Sequence, residues 1–227
     1  MSAQHRSVAI DGPSGAGKSS IARKSAETFG FLYVDTGAIY RTVGLAVRRA
    51  GIASRDIDGI VGLLPTLDIA LRYAEDGAQH MFLDGEDVSG EIRTPEISIY
   101  ASDVSAFPQV RAFLMETQRR LARENDVIMD GRDIGTVVLP DAGLKIFLSA
   151  SPEARARRRL LELQAKGQEA NFEDVLRDIQ YRDKNDSSRA AAPLRQADDA
   201  VLLDTTELDF EESCAAVNKM IRERFGL

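Results

Sequence analysis

The chain has 227 residues, 44% of them hydrophobic, and a formal net charge of -7 at pH 7. This length suits one α/β domain with an inserted unit, and the acidic balance disfavours nucleic-acid binding because phosphate would be repelled. The single cysteine excludes an intramolecular disulfide, and no apolar run approaches the roughly 20 residues of a membrane span. We therefore expect a cytoplasmic protein that binds neither nucleic acid nor a membrane.

Strand and helix patterns alternate along most of the chain. Short apolar runs followed by turn residues predict buried strands over 7–10, 31–34, 127–129, 144–148 and 200–203. Helical periodicity predicts helices over 18–29, 39–50, 110–124, 152–166, 172–185 and 210–225. This order predicts an α/β fold in which helices flank both faces of a five-stranded parallel sheet.

Residues 62–100 interrupt this alternation. Shorter segments with a period of two, over 67–73 and 80–83, are followed by the turn sequences EDG and GED. Such a pattern predicts a small antiparallel unit inserted into the larger sheet domain. We therefore interpret residues 1–227 as a single domain with an inserted subdomain at 62–100.

A phosphate-binding loop is predicted between the first strand and the first helix. The sequence GPSGAGKS over 12–19 satisfies G-x-x-x-x-G-K-[ST] in the required strand-to-helix context. Glycines let backbone N–H groups surround a polyphosphate, and Lys18 is then placed to bridge the β and γ phosphates of ATP. Ser19 is placed to ligate Mg²⁺. The predicted ATP-binding residues are Gly12, Pro13, Ser14, Gly15, Ala16, Gly17, Lys18, Ser19 and Ser20.

Arginines mark a predicted acceptor site. Arg41 lies on the first turns of the second predicted helix, where its guanidinium could hold a phosphate or simply be solvated. Asp130, Arg132 and Asp133 directly follow a predicted strand, at the position where open parallel sheets bind ligands. Arg182, Asp186 and Arg189 are spaced i, i+4 and i+7, which indicates one helical face that binds a ligand or forms ion pairs.

A cluster of arginines occupies the start of the helix predicted over 152–166. The helix dipole disfavours cations there, so an anionic ligand is the simplest reason for the cluster. We interpret residues of about 152–170 as a lid that closes over the transferring phosphoryl group, with a nucleic-acid patch as the alternative. The arginines of this cluster are Arg155, Arg157, Arg158 and Arg159.

Together these motifs resemble those of bacterial cytidylate kinases, which are P-loop nucleoside monophosphate kinases. Five segments carry the resemblance, namely residues 10–18 (IDGPSGAGK), 35–41 (DTGAIYR), 85–93 (GEDVSGEIR), 130–138 (DGRDIGTVV) and 182–194 (RDKNDSSRAAAPL). They span nearly the whole chain. The segment 85–93 lies in the predicted insert, which in that family enlarges the region that binds the nucleoside monophosphate.

The resemblance implies an enzyme that phosphorylates CMP or dCMP with ATP and Mg²⁺ and acts as a monomer. It implies that the cytosine is read by Ser102, Arg111 and Asp133, with Thr36 nearby where the family more often has serine. The ribose would contact Arg182 and Asp186. The CMP phosphate would be held by Arg41, Arg132 and Arg189. The catalytic residues that it implies are Lys18, Arg132, Arg158 and Arg159.

The residues and the resemblance agree on in-line transfer of a phosphoryl group, which needs no strong general base because the acceptor phosphate oxygen is already ionised. One alternative is a P-loop kinase for another small acceptor, such as uridylate, thymidylate or shikimate. The other alternative is a nucleotide switch or a nucleic-acid-stimulated ATPase. The sequence has neither the Asn-Lys-x-Asp motif of GTPases nor a basic groove, which disfavours the second alternative.

Overall fold

The computed structural model describes residues 5–75, 77–165 and 167–227 of the chain. Within these ranges the strands are β1 (Ser7–Asp11), β2 (Leu32–Asp35), β3 (Ile69–Tyr73), β4 (Gln79–Leu83), β5 (Glu86–Asp87), β6 (Val127–Gly131), β7 (Leu144–Ser149) and β8 (Val201–Asp204). The α-helices are α1 (Lys18–Phe29), α2 (Thr36–Arg49), α3 (Ile57–Leu63), α4 (Pro95–Val104), α5 (Pro108–Glu124), α6 (Pro152–Ala165), α7 (Phe172–Ser188) and α8 (Phe210–Phe225). Shorter helical turns lie at Leu64–Thr66, Glu91–Arg93 and Ile134–Val138.

A five-stranded parallel sheet forms the centre of the fold, in the order β2-β6-β1-β7-β8. The sequence prediction of this sheet is confirmed. Every residue of β6 is buried, because helices cover both faces, as is usual for parallel sheets. Asp11 pairs with Gly131 in register, so β1 and β6 end side by side. The loops that follow these two strands therefore meet at one edge of the sheet.

The insert forms a second sheet, which is antiparallel and has the order β3-β4-β5. Its strands agree with the predicted alternation, but both ends of the 62–100 segment are helical, in α3 and α4. The insert sheet packs Met81 and Leu83 against Ile39 and Leu45 of α2. The side chain of Gln79 also binds the backbone N–H of Asp35 at 2.8 Å and the Asp35 carbonyl at 3.2 Å. These bonds attach the insert to the end of β2.

Several helix boundaries differ from the predictions by one to three residues. Helix α2 begins at Thr36, three residues before the prediction, because the Asp35 side chain accepts the N–H of Ala38 at 2.8 Å. Helix α7 ends at Ser188, so Arg189 has extended backbone and does not continue the helical face predicted for it. Helix α6 ends at Ala165, and Lys166, the last residue of that predicted helix, lies outside the described residues. Among the residues described, no helix is long and apolar enough to cross a membrane.

Gly12 allows the chain to turn sharply out of β1. Its φ is 148°, in a region that side chains rarely adopt, and a Cβ at this position would lie 2.0 Å from the carbonyl oxygen of Leu148 in β7. The rigid sheet leaves no room for that atom. Gly12 therefore fixes where the loop between β1 and α1 begins.

We expect Gly12→Ala to lower the free energy of unfolding by about 2 kcal/mol or more, because it combines backbone strain with an overlap against the sheet. Urea denaturation, monitored by circular dichroism, measures the change in the free energy of unfolding. Gly62→Ala is the matched control, since Gly62 is helical and a Cβ there meets no described atom within 4 Å. The control should be neutral or stabilise by roughly 0.5–1 kcal/mol. Equal changes in the free energy of unfolding for the two substitutions would contradict the requirement for glycine at position 12.

Candidate active site

A cavity of about 540 Å³ opens at the carboxyl edge of the parallel sheet, between the loop after β1, the ends of β2 and β6, and helices α4 to α7. Among the described residues, nine basic and six acidic side chains line it, although the whole chain carries a net charge of -7. This local excess of positive charge suits ligands with several phosphates. The basic residues are Lys18, Arg23, Arg41, Arg93, Arg111, Arg132, Arg159, Arg182 and Arg189. The acidic residues are Asp35, Asp130, Asp133, Glu162, Asp178 and Asp186.

The predicted phosphate loop forms one wall of this cavity. Ser14, Gly15, Gly17, Lys18, Ser19 and Ser20 line the wall, whereas Gly12, Pro13 and Ala16 lie behind it. The Lys18 side chain is buried, and its Nζ donates to the carbonyl of Pro13 at 2.7 Å. Burial, and then the charge of Arg132, hold the pKa of Lys18 well below its usual range. An anion beside Lys18 would relieve both effects.

Asp130 lies in the predicted ligand-binding turn, but the sequence prediction assigned it no role in the site. It is the fourth residue of β6, and its carboxylate accepts from Ser19 Oγ at 2.9 Å and from the Tyr33 hydroxyl at 2.9 Å. Burial, followed by the nearby charge of Asp35, raises the pKa of Asp130 to about 6. The signal was available, because Asp130 opens the segment DGRD and directly follows the apolar run of the strand.

Asp133 and two arginines form a buried cluster at the far end of the cavity. Arg111 of α5 donates to Asp133 Oδ2, and Arg189 Nη2 lies 3.4 Å from Asp133 Oδ1. Arg189 also donates to Ser105 Oγ at 2.9 Å. The structure thus pairs Arg189 with Asp133, whereas its role at the CMP phosphate stays a prediction. The physical reason is that α7 has ended, which turns the Arg189 side chain towards α4 and Asp133.

A second cluster joins α7 to β6 and α4. Asp186 of α7 accepts from Arg132 Nε at 2.8 Å and from Ser102 Oγ at 3.0 Å. The guanidiniums of Arg132 and Arg182 hold the pKa of Asp186 below its usual range, although burial acts in the opposite direction. Burial, and then the charge of Arg132, lower the pKa of Arg182 to about 10. The structure therefore brings together Ser102, Arg132, Arg182 and Asp186, which the sequence analysis had assigned to the base, the phosphate and the ribose respectively.

Asp35 organises the side of the cavity nearest the insert. Its Oδ2 accepts from Arg41 Nη2 at 2.8 Å and lies 3.8 Å from Arg93 Nη2. Burial raises the pKa of Asp35, but these two arginines outweigh burial and hold it below its usual range. Arg93 belongs to the motif 85–93 but was not assigned to the site from the sequence. The Thr36 hydroxyl donates to the carbonyl of Asp130 at 2.7 Å and so contacts strand β6.

Several cavity arginines have nitrogen atoms that are buried and without a hydrogen-bond partner among the described residues. These atoms are Arg41 Nε, Arg111 Nη1 and Arg182 Nε. Buried donors are almost always satisfied in folded proteins, so unpaired donors in one cavity indicate a ligand with acceptor oxygens. The three arginines come from α2, α5 and α7, which surround the cavity on the side away from the phosphate loop.

The arginines at the start of α6 do not act as one group. Arg159 lines the cavity and pairs with Glu162 at 3.0 Å. Arg158 instead donates to the carbonyls of Thr205 and Leu208, the latter at 3.2 Å, so the structure does not place it in the cavity. Arg155 is buried and binds the carbonyl of Ser14 and the carboxylate of Asp183. The structure therefore separates the predicted cluster, because their partners hold Arg155 and Arg158 away from the cavity, whereas Arg159 lines it.

Known proteins similar to this chain identify its family. A family model described as cytidylate kinase matches residues 8–223. A cytidylate kinase from Caldicellulosiruptor bescii is 52% identical over 205 residues, which cover 90% of each protein. One from Geobacter sulfurreducens is 51% identical over 217 residues, which cover 96% of this chain and 93% of that protein. The chain belongs to the cytidylate kinase family. It is therefore an enzyme, a nucleoside monophosphate kinase.

The similarity to cytidylate kinases includes the insert as well as the phosphate loop. A third relative, the cytidylate kinase from Caldicellulosiruptor saccharolyticus, is 48% identical over 219 residues, which cover 96% of both proteins. The family model spans residues 8–223, which include the insert and every described residue that lines the cavity. The resemblance recognised from the motifs of the sequence is thereby confirmed for the chain as a whole.

Proposed function

We propose that the protein transfers the γ-phosphoryl group of ATP to CMP or dCMP, giving ADP and CDP or dCDP. The observation that carries this proposal is the cavity of a cytidylate kinase family member in which a phosphate loop faces clustered arginines and a buried carboxylate. The loop suits the donor nucleotide. The arginines suit a phosphate acceptor, and the carboxylate suits a base that offers an amino group.

Catalysis in this proposal rests on position and charge. The nucleophile is an oxygen of the acceptor phosphate, which is ionised at neutral pH, so no side chain has to remove a proton. The γ-phosphoryl group leaves the β-phosphate oxygen of ATP as the acceptor oxygen bonds to phosphorus. Lys18 and Arg132 stabilise the negative charge that spreads over the transferring group. Closure of the predicted lid at about 152–170 would exclude water, which otherwise competes as an acceptor.

Three groups of residues would contact the phosphate, the ribose and the base of the acceptor nucleotide. Arg41 and Arg132 would hold its phosphate, and the unpaired Nε atom of Arg41 supports this role. Arg182 and Asp186 would contact the ribose. The base would meet Asp133, Arg111 and Ser102, with Thr36 nearby, and Arg189 joins this base group because it pairs with Asp133.

A magnesium ion fits the phosphate-loop side of the cavity. Ser19 Oγ and an Asp130 oxygen lie 2.9 Å apart there, and hydroxyl and carboxylate oxygens are the ligand types that Mg²⁺ prefers. Ser19 and Asp130 would hold the ion. When bound, the ion neutralises charge on the β and γ phosphates of ATP. Ser20 lies one residue further along α1, and its exposed hydroxyl is a further donor to the phosphates.

Asp133 and the two arginines explain how the site could select cytosine. The Asp133 carboxylate accepts a hydrogen bond from the amino group of cytosine, and an arginine donates to the ring nitrogen. Uracil reverses both positions, since it has a carbonyl and an N–H there. A buried carboxylate facing that carbonyl would lose its partner and be repelled by it.

We expect kcat/KM for CMP to exceed that for UMP by about 100-fold or more, and Asp133→Asn to reduce this ratio at least about 10-fold. The amide offers a donor to the uracil carbonyl, so activity with CMP should fall while activity with UMP changes little. Steady-state assays with saturating ATP measure both values. The control is Asp174→Ala, an exposed acid on α7. A wild type that uses both acceptors equally would contradict the proposed substrate.

We expect Lys18→Ala to lower kcat by about 1,000-fold without unfolding the protein, because the ammonium acts mainly where charge moves between the β and γ phosphates. Turnover and circular dichroism are measured on the same sample. Lys24→Ala is the control, because Lys24 lies on the same helix and is exposed beside Glu27. Near-normal turnover by a folded Lys18→Ala protein would remove the phosphate loop from the mechanism.

We expect Arg159→Ala to lower kcat about 100-fold with little change in the KM for CMP, because a cavity-lining arginine on the lid acts mainly on the transition state. Arg158→Ala should lower kcat less and reduce the melting temperature more, because Arg158 holds the carbonyls of Thr205 and Leu208. Kinetics and thermal melts of the two variants test this contrast. A larger loss of kcat in Arg158→Ala than in Arg159→Ala would instead indicate that Arg158 acts on the transferring phosphoryl group.

A further inference from the structure

Asp11, the last residue of β1, has a buried carboxylate whose partners lie in a different loop. Its Oδ1 accepts the backbone N–H of Ile134 at 2.7 Å, and its Oδ2 accepts the N–H of Gly135 at 2.7 Å. Burial raises the pKa of Asp11 to about 6, and these two N–H groups act in the opposite direction. Both acceptor oxygens are thus used, and both bonds go to the two residues that directly follow Asp133.

The turn that Asp11 binds begins at Asp133. Residues Ile134–Val138 form a helical turn with Asp133 at its N-cap position, and the N–H groups of Val137 and Val138 bond back to the Asp133 carbonyl. The first N–H groups of such a turn have no partner within it, and an aspartate at the N-cap normally accepts one of them. Here the Asp133 side chain makes no such bond, and its oxygens face Arg111 and Arg189 instead.

We propose that Asp11 is a positioning residue for base selection, because it caps the turn in place of Asp133 and so lets the Asp133 carboxylate face Arg111, Arg189 and the base. This inference rests on the proposed role of Asp133 in reading cytosine. Asp11 also directly precedes Gly12, the first residue of the phosphate loop. One carboxylate therefore ties the beginning of the donor site to the base-reading end of the acceptor site.

The test is Asp11→Asn, which keeps the shape of the side chain but has only one acceptor oxygen. Its amide nitrogen would face one of the two N–H groups, so that N–H becomes available to the Asp133 side chain. We expect the ratio of kcat/KM values for CMP and UMP to fall at least about 10-fold, as it does in Asp133→Asn. The KM for ATP should stay within about threefold of the wild type, because the phosphate loop keeps its backbone.

Asp126→Asn is the matched control for a general loss of stability. Asp126 lies just before β6, and its Oδ1 accepts the N–H of Arg6, beside the start of β1, at 2.6 Å. It therefore makes the same kind of bond between the same two strands at their opposite ends. Asp126→Asn should leave the ratio of CMP to UMP activity unchanged, even where it lowers the melting temperature as much as Asp11→Asn does.

The double variant Asp11→Asn/Asp133→Asn separates positioning from an independent effect. If Asp11 acts through Asp133, the double variant has the same CMP to UMP ratio as Asp133→Asn alone, because there is no carboxylate left to position. If the CMP to UMP ratio of the double variant falls by the product of the two single-variant effects, the inference is overturned. If the wild type prefers CMP and Asp11→Asn has the same ratio of CMP to UMP activity as the wild type, the inference is also overturned. If the wild type itself does not prefer CMP, the proposed function is overturned instead.

Hydrogen exchange on the wild type covers the case in which Asp11→Asn does not fold. The amide protons of Ile134 and Gly135 report directly on the bonds to Asp11. We expect saturating CMP to slow their exchange at least about fivefold more than saturating UMP does, because base binding at Asp133 is coupled to this turn. Equal protection by the two nucleotides would overturn the inference.

Discussion

Positive charge buried around one cavity is the constraint on which the rest of the site depends. Arg111, Arg182 and Arg189 have been moved out of water, and burial lowers the pKa of Arg182 and Arg189. Asp133 offsets part of that cost through ion pairs with Arg111 and Arg189, and the nearby charge of Asp186 acts in the same direction on Arg182. The guanidinium donors that remain unpaired among the described residues suit a ligand with acceptor oxygens. The site is thus prepared for phosphate before any nucleotide arrives.

The rigid sheet and the helices hold these charges from two sides. Strands β1 and β6 end in register, which brings the phosphate loop and the turn after Asp133 together. On the other side, the buried carboxylate of Asp103 in α4 accepts from Ser54 at 2.6 Å and from Tyr181 of α7 at 2.9 Å. This network fixes α7, and with it Asp186, against α4. The phosphate loop and the turn after Asp133 are therefore held by the sheet, whereas Asp186 is held by the packing of α7 against α4.

The sequence predicted the parallel sheet and the phosphate loop because those features follow from local patterns. Helices α1 and α8 match their predicted ends, since Gly30 stops the first and Asp209 caps the second. Other features depend on the fold as a whole. Helix α3 has only seven residues, which is too short for a periodic signal. Which arginine of α6 faces the cavity depends on the rotation of that helix. Asp130 and Asp11 act through neighbouring strands, and register between strands cannot be read from one segment.

The insert influences the acceptor site through the backbone of β2. Gln79 binds the N–H and the carbonyl of Asp35, and the Asp35 carboxylate in turn orients Arg41 and Arg93. The Gln79 amide donates to the backbone carbonyl of Asp35 and accepts its backbone N–H, as a neighbouring strand would do. The insert therefore extends the edge of the parallel sheet at the one point where an acidic side chain must hold two arginines. The insert thereby holds Asp35 in place, and Arg93 adds one charge directly to the cavity wall.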